Sequence, residues 1–138
     1  MNQKGFVEFS TLSFNGFCWG WEPTAEDYER PRKYQIIEHA ERRAIYKAAN
    51  VGIALHGCTL YSTWAACTDC ARAVVETGIS RLVRHYPPLD EATERWLGSV
   101  SLGDQIMKAG NVEIVDIIGP IPDASPILRS GEIFEPAA

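Results

Sequence analysis

Apolar positions recur at helical spacing in the first half of the chain. Ile37, Ala40, Ala44 and Ala48, flanked by Ile36, Ile45, Tyr46 and Ala49, mark a stripe that predicts a helix over Gln35–Asn50. Gly52 stands just past it, the usual place for a glycine stop. Upstream, Phe6, Val7, Phe9 and Leu12 alternate in part and predict a strand over Phe6–Leu12. Asn15-Gly16 is a turn signal. Residues 17–33, with Pro23 and Pro31, read as a polar loop, long for a small domain and therefore a place to look for function.

The second half alternates between the two periods. Cys58–Thr63 reads as a short strand, Cys67–Thr77 as a helix stopped by Gly78, and Ile79–Tyr86 as a strand ended by Pro87-Pro88. Glu91–Ala109 is predicted helical, with a break between Gly98 and Gly103, and Val112–Ile118 is a strand rich in Val and Ile. The tail from Gly119 carries four prolines and is expected to wrap the surface or a partner subunit. Strand–helix alternation of this kind gives an α/β fold, a mixed or parallel sheet with helices on its faces. With 138 residues and no repeat or linker, the expectation is one domain spanning 1–138.

Composition narrows the partners. A formal charge of −5 disfavours a nucleic-acid backbone as the main ligand. No stretch has the length and apolarity of a membrane span, so a cytoplasmic protein without membrane contact is expected. In that compartment cysteines stay reduced, and Cys67 and Cys70 read better as metal ligands than as a disulfide. Arg30, Arg32 and Lys33 could meet a phosphate, although a solvated basic run beside Glu26, Asp27 and Glu29 fits equally.

The candidate chemistry lies in His39, Glu41, Cys67 and Cys70. One imidazole and two thiolates are good zinc ligands, and three protein ligands leave the fourth tetrahedral position open, the pattern of a catalytic site. Glu41, two residues beyond the histidine, is placed to move protons rather than to coordinate. Two alternatives compete: Cys67 and Cys70 as a redox pair, or a closed structural zinc site with Cys18 as fourth ligand. A third reading is a non-catalytic nucleotide-binding module.

The segments FNGF (Phe14–Phe17), ERPRKY (Glu29–Tyr34), EHAERRAIYKAA (Glu38–Ala49) and TLYSTWAACTDCARAVVETGISRLV (Thr59–Val83) resemble the zinc-dependent cytidine/deoxycytidylate deaminases, most closely the bacterial and phage members. The resemblance implies a three-layer cytidine-deaminase-like sandwich with a mixed sheet of four to five strands between helices. The family's N-terminal helix and first strand, with an arginine that helps hold the substrate phosphate, have no counterpart before Gly5–Ser13. It implies zinc on His39, Cys67 and Cys70, Glu41 as proton shuttle, and a homo-oligomer. Asn15 and the backbone near Ala66 would contact a small-molecule nucleotide or nucleobase; Trp64, read from its place just before the cysteines, could wall that pocket or pack in the core. The implied reaction is hydrolytic deamination of a cytosine nucleotide, dCMP to dUMP with ammonia release, or of another amine-bearing nucleobase. The proline usual before the first cysteine is Ala66 here.

Overall fold

The computed structural model describes residues 10–86, 94–129 and 132–138. They fall into two compact units, one up to Ala54 and one from Leu55 onward.

In the first unit, strand β1 (Gly16–Phe17) pairs antiparallel with β2 (Ile37–Glu38), Gly16 opposite Glu38 and Phe17 opposite Ile37. This pairing cuts the helix expected over Gln35–Asn50 into a short α1 (Lys33–Ile36) and α2 (Ala40–Asn50). Periodicity could not see the break: the consecutive β-branched Ile36 and Ile37 suit an extended chain, and a tertiary partner overrides the helical stripe. The Asn15-Gly16 turn signal is in fact a bend leading into β1. Of the strand expected over Phe6–Leu12, residues 6–9 lie outside the described residues, and residues 10–12 are irregular.

The 17–33 segment is more ordered than a polar loop. A 3₁₀ turn over Ala25–Tyr28 follows Thr24, and the buried Asp27 organises it. The Asp27 carboxylate accepts the Thr24 backbone N–H (2.9 Å), the Thr24 hydroxyl (3.2 Å), Trp21 Nε1–H (3.1 Å) and Arg32 Nε–H (2.6 Å). The Thr24 backbone bond first, then the Arg32 guanidinium, lowers its pKa from 3.8 to about 2.

In the second unit, β3 (Thr59–Ser62), β4 (Arg81–Tyr86) and β5 (Glu113–Ile118) form a parallel sheet in that order. Helix α3 (Thr68–Glu76) connects β3 to β4, and α4 (Leu97–Ala109) precedes β5. A parallel pair needs such crossovers, so the alternation read from the sequence is realised here. Gly78, at φ 73°, ends α3 where a side chain would be strained. The helix expected over Glu91–Ala109 runs unbroken from Leu97 to Ala109; residues 87–93 lie outside the described residues. The core is Val74, Leu82 and Met107, all fully buried, with Ala71, Cys70, Val100 and Val112 around them. Burying each large apolar side chain contributes about 1.5–3 kcal/mol.

A buried cation ties sheet to helix. Arg84 on β4 donates Nε–H to Asp116 on β5 (2.5 Å) and a bidentate pair to Asp104 on α4 (2.6 and 2.9 Å). Burial alone would lower its pKa, but the two carboxylates outweigh that and raise it. The proline-rich tail ends in an antiparallel pair, β6 (Ile127–Arg129) and β7 (Glu132–Phe134). Among the described residues, then, three strands form the parallel sheet and the others stand in two antiparallel pairs.

Candidate metal centre

Each candidate metal ligand stands at the start of a helix. His39 is the N-cap residue of α2, with extended backbone angles (φ −73°, ψ 150°), and Cys67 is the N-cap residue of α3 (φ −70°, ψ 173°). The three-residue step from Cys67 to Cys70 puts both sulfurs on one side of the first turn. The partial positive charge of a helix start suits two thiolates there.

The chain backbone around His39 is held from two sides. Its N–H donates to Glu38 Oε1 (3.2 Å), and Glu38 in turn pairs with Arg42 one turn along the helix. The next N–H, that of Ala40, donates to Asn15 Oδ1 at 2.8 Å. Arg43 and Lys47 donate to the carbonyls of Phe14 and Leu12 at 3.1 and 2.8 Å, which fastens α2 along the segment leading into β1. Glu41 lies in the first turn of α2, half-buried.

Around the cysteines the backbone is buried. Ala65, Ala66 and Cys70 are nearly or fully inaccessible, and Cys67 is 9% exposed. Trp64 is half-buried, and its N–H donates to Ser62 Oγ at 3.4 Å. The N–H of Thr68, the first residue of α3, donates to Ser99 Oγ of α4 at 3.1 Å.

The structure brings the ligand atoms of His39, Cys67 and Cys70 within 4.8 Å of one another. Zinc bonds of about 2.0 Å to nitrogen and 2.3 Å to sulfur at tetrahedral angles place ligand atoms roughly 3.5–3.8 Å apart. The ligand atoms are therefore close enough to share one ion, and their donor types are those zinc prefers. Among the described residues no fourth His, Cys, Asp or Glu joins it. Cys18 is exposed and outside the cluster, so the closed structural site with Cys18 is not what the chain builds, and none of the four cysteines is in a disulfide.

Comparison with known proteins agrees. The cytidine and deoxycytidylate deaminase zinc-binding region matches residues 24–86, which include His39, Glu41, Cys67 and Cys70. An uncharacterized deaminase in the luxG 3' region of Aliivibrio fischeri is 30% identical over 106 residues, covering 75% of this chain and 68% of that protein. The chain belongs to the cytidine and deoxycytidylate deaminase family.

Another member, the deoxycytidylate deaminase of enterobacteria phage T2, is 33% identical over 79 residues, 57% of this chain. The match spans only 38% of that relative's length. The dCMP deaminase of cyanophage S-TIM5, solved in complex with dCMP and dUMP, shares the fold with a TM-score of 0.55. That alignment is 18% identical and covers 76% of this chain and 70% of that one. As a deaminase of this family the chain is a zinc hydrolase, and His39, Cys67 and Cys70 are a group that could hold the ion.

The remaining sequence expectations divide. Asn15 has one firm partner, the Ala40 N–H, so at least part of its task is to hold α2. Arg32 is engaged by Asp27 and lies over the Trp21 ring at 6.0 Å, and Arg30 lies over Tyr34 at 5.7 Å; both remain exposed to solvent. Glu38, Ser99 and Gly103 escaped the sequence reading, since nothing in their spacing marks them as neighbours of a ligand. Among the described residues no helix is long and apolar enough to cross a membrane.

Proposed function

We propose that this chain, acting as one deaminase domain over residues 1–138, converts dCMP to dUMP with release of ammonia. The observation that carries the reading is the three-ligand cluster with a carboxylate, Glu41, two residues from its histidine. The named activities of the phage relatives support cytosine nucleotide as the substrate class.

His39, Cys67 and Cys70 would hold the zinc, which when bound would supply the Lewis acidity that makes a water nucleophilic near neutral pH. Glu41 does the proton work. It accepts a proton from the attacking water and passes it to N3 of the ring as C4 becomes tetrahedral, then takes the second proton from the C4 hydroxyl and delivers it to the amine, which leaves as ammonia as the C4 carbonyl forms. A backbone carbonyl near Ala66 accepts a hydrogen bond from the exocyclic amine. Trp64, half-buried just ahead of the cysteines, walls one face of the base. Asn15 keeps its amide NH₂ for substrate while its oxygen holds Ala40.

The active form is read as a cytoplasmic homo-oligomer with a small-molecule nucleotide substrate. Leu128 and Ile133, partners across β6–β7 and 76% and 75% exposed, offer an apolar surface of the kind subunits bury.

Ammonia release from a panel of dCMP, deoxycytidine, dCTP and amine-bearing purine nucleotides tests the substrate. The proposal expects dCMP to be preferred by kcat/KM. A preference for a purine or an unphosphorylated nucleoside would move the chain to another substrate class within the same chemistry.

A further inference from the structure

Both metal-bearing helices begin in the same way. A ligand takes the N-cap position, where Ser, Thr, Asp or Asn would ordinarily supply an oxygen to the helix. In each, a side chain from elsewhere accepts the first N–H instead: Asn15 for Ala40 in α2, and Ser99 for Thr68 in α3. The second case is the less expected, since Ser99 lies 31 residues downstream on a different helix.

Helix α4 approaches this turn closely for a reason visible in its sequence. A Cβ added at Gly103 would lie 2.8 Å from the Ala66 carbonyl oxygen, 3.4 Å from the Cys67 carbonyl carbon and 3.4 Å from Ala71 Cβ. Gly103 is four residues beyond Ser99, so both occupy the same face of α4. The helix therefore lies against the backbone of Ala66–Cys67 and reaches the start of α3 with a hydroxyl. Ala66 leaves its own φ unfixed, where a proline would lock it. The restraint has to come from outside the turn.

We infer that Ser99 and Gly103 are positioning residues for the metal-bearing turn Ala66–Cys70. The Ser99 hydroxyl fixes the first N–H of α3, Gly103 lets α4 back the Ala66 carbonyl, and together they set Cys67 for its ion without touching it. Thr68 Oγ1, 3.4 Å from Ser99 Oγ, adds a second contact to the same hydroxyl. The inference rests on the zinc reading above and adds the elements that determine how tightly the ion is held. A residue that orients a ligand in this way typically changes metal affinity by about 10- to 100-fold when removed.

The test is zinc affinity of the full chain by competition with a chromophoric chelator, for wild type, Ser99→Ala, Ser99→Thr, Gly103→Ala and the exposed control Ser101→Ala. Melting of each is recorded with and without zinc. Ser99→Ala is expected to bind zinc roughly tenfold or more weakly and to show a smaller rise in melting temperature on zinc addition. Ser99→Thr, which keeps the hydroxyl, restores most of the affinity, and Ser101→Ala matches wild type. A merely structural Ser99 would lower the melting temperature equally with and without zinc and leave affinity unchanged; that result overturns the inference. If Gly103→Ala does not fold, the Ser99 pair decides alone. A wild-type chain that takes up no zinc contradicts the metal reading itself rather than the role of α4.

Discussion

Asn15 Oδ1 accepts the backbone N–H of Ala40 at 2.8 Å, joining the residue before β1 to the first turn of the helix that carries Glu41. A side chain expected to contact substrate thus also closes the open end of α2, where His39 has the N-cap position. Removing it strikes at both tasks. Asn15→Ala is expected to cost about 0.5–2 kcal/mol of stability, the range for a lost cap. Urea unfolding of the metal-free protein measures this without interference from zinc. Asn15→Asp, which keeps the acceptor, should recover the stability but not substrate affinity, because it lacks the NH₂ donor.

Glu41→Gln keeps shape and removes the proton shuttle. The turnover rate is expected to fall by at least about 10²–10⁴-fold, the usual contribution of a positioned general acid–base group. Zinc content, measured by atomic absorption, should stay near that of wild type, because Glu41 lies outside the ligand cluster.

Removing the metal should loosen the fold as well as stop the chemistry. His39→Ala or Cys70→Ser is expected to abolish the rise in melting temperature that zinc gives the wild-type chain, since a ligand that binds only the folded state stabilises it by mass action. Calorimetry with and without a chelator reads the difference.

Asp27 gives a pH signature with a definite sign. Its folded pKa lies below the unfolded value, lowered from 3.8 to about 2. The folded state therefore favours the carboxylate more than the unfolded state does, and this contribution is present above pH 3.8. It is lost as pH falls from 3.8 through about 2. In the metal-free protein, the stability gap between wild type and Asp27→Asn should be full at pH 6 and shrink as pH falls through that window. A gap that stayed constant across it would assign the Asp27 effect to packing.

Arg84 is 3% exposed between two carboxylates. Arg84→Met leaves Asp104 and Asp116 without their shared cation. Breaking a buried pair from one side costs on the order of 3 kcal/mol, so chemical denaturation should show a much lower midpoint. Adding Asp104→Asn and Asp116→Asn to that variant should return part of the loss by removing the stranded charges.

The sequence carried much of this because the chemistry is local in type and strict in spacing. His39, Glu41, Cys67 and Cys70 are rare residues in an order that metal chemistry explains, and the helix start at Cys67 follows from the same motif. The parallel strands β3–β5 were legible because short alternating or β-branched runs were separated by helical stretches. The break at Ile37 was not: an apolar stripe runs through it, and only the partner strand Gly16–Phe17 reveals that two residues leave the helix. Ser99 and Gly103 were equally hidden. Gly98 and Gly103 suggested a break in α4, whereas the helix is unbroken and Gly103 lets it lie against Ala66. Asp27 shows the same limit, since a carboxylate beside two others reads as solvated until the loop folds around it.

The most direct measurement pairs metal content with product formation on one preparation. Zinc-loaded wild-type chain and Glu41→Gln, each verified to hold one ion per chain, are incubated with dCMP while ammonia and dUMP are quantified. The account predicts equal amounts of both products from wild type and formation at least about 10²-fold slower from the variant. Wild type that holds its zinc yet releases no ammonia, or a variant that turns over at the wild-type rate, would contradict it.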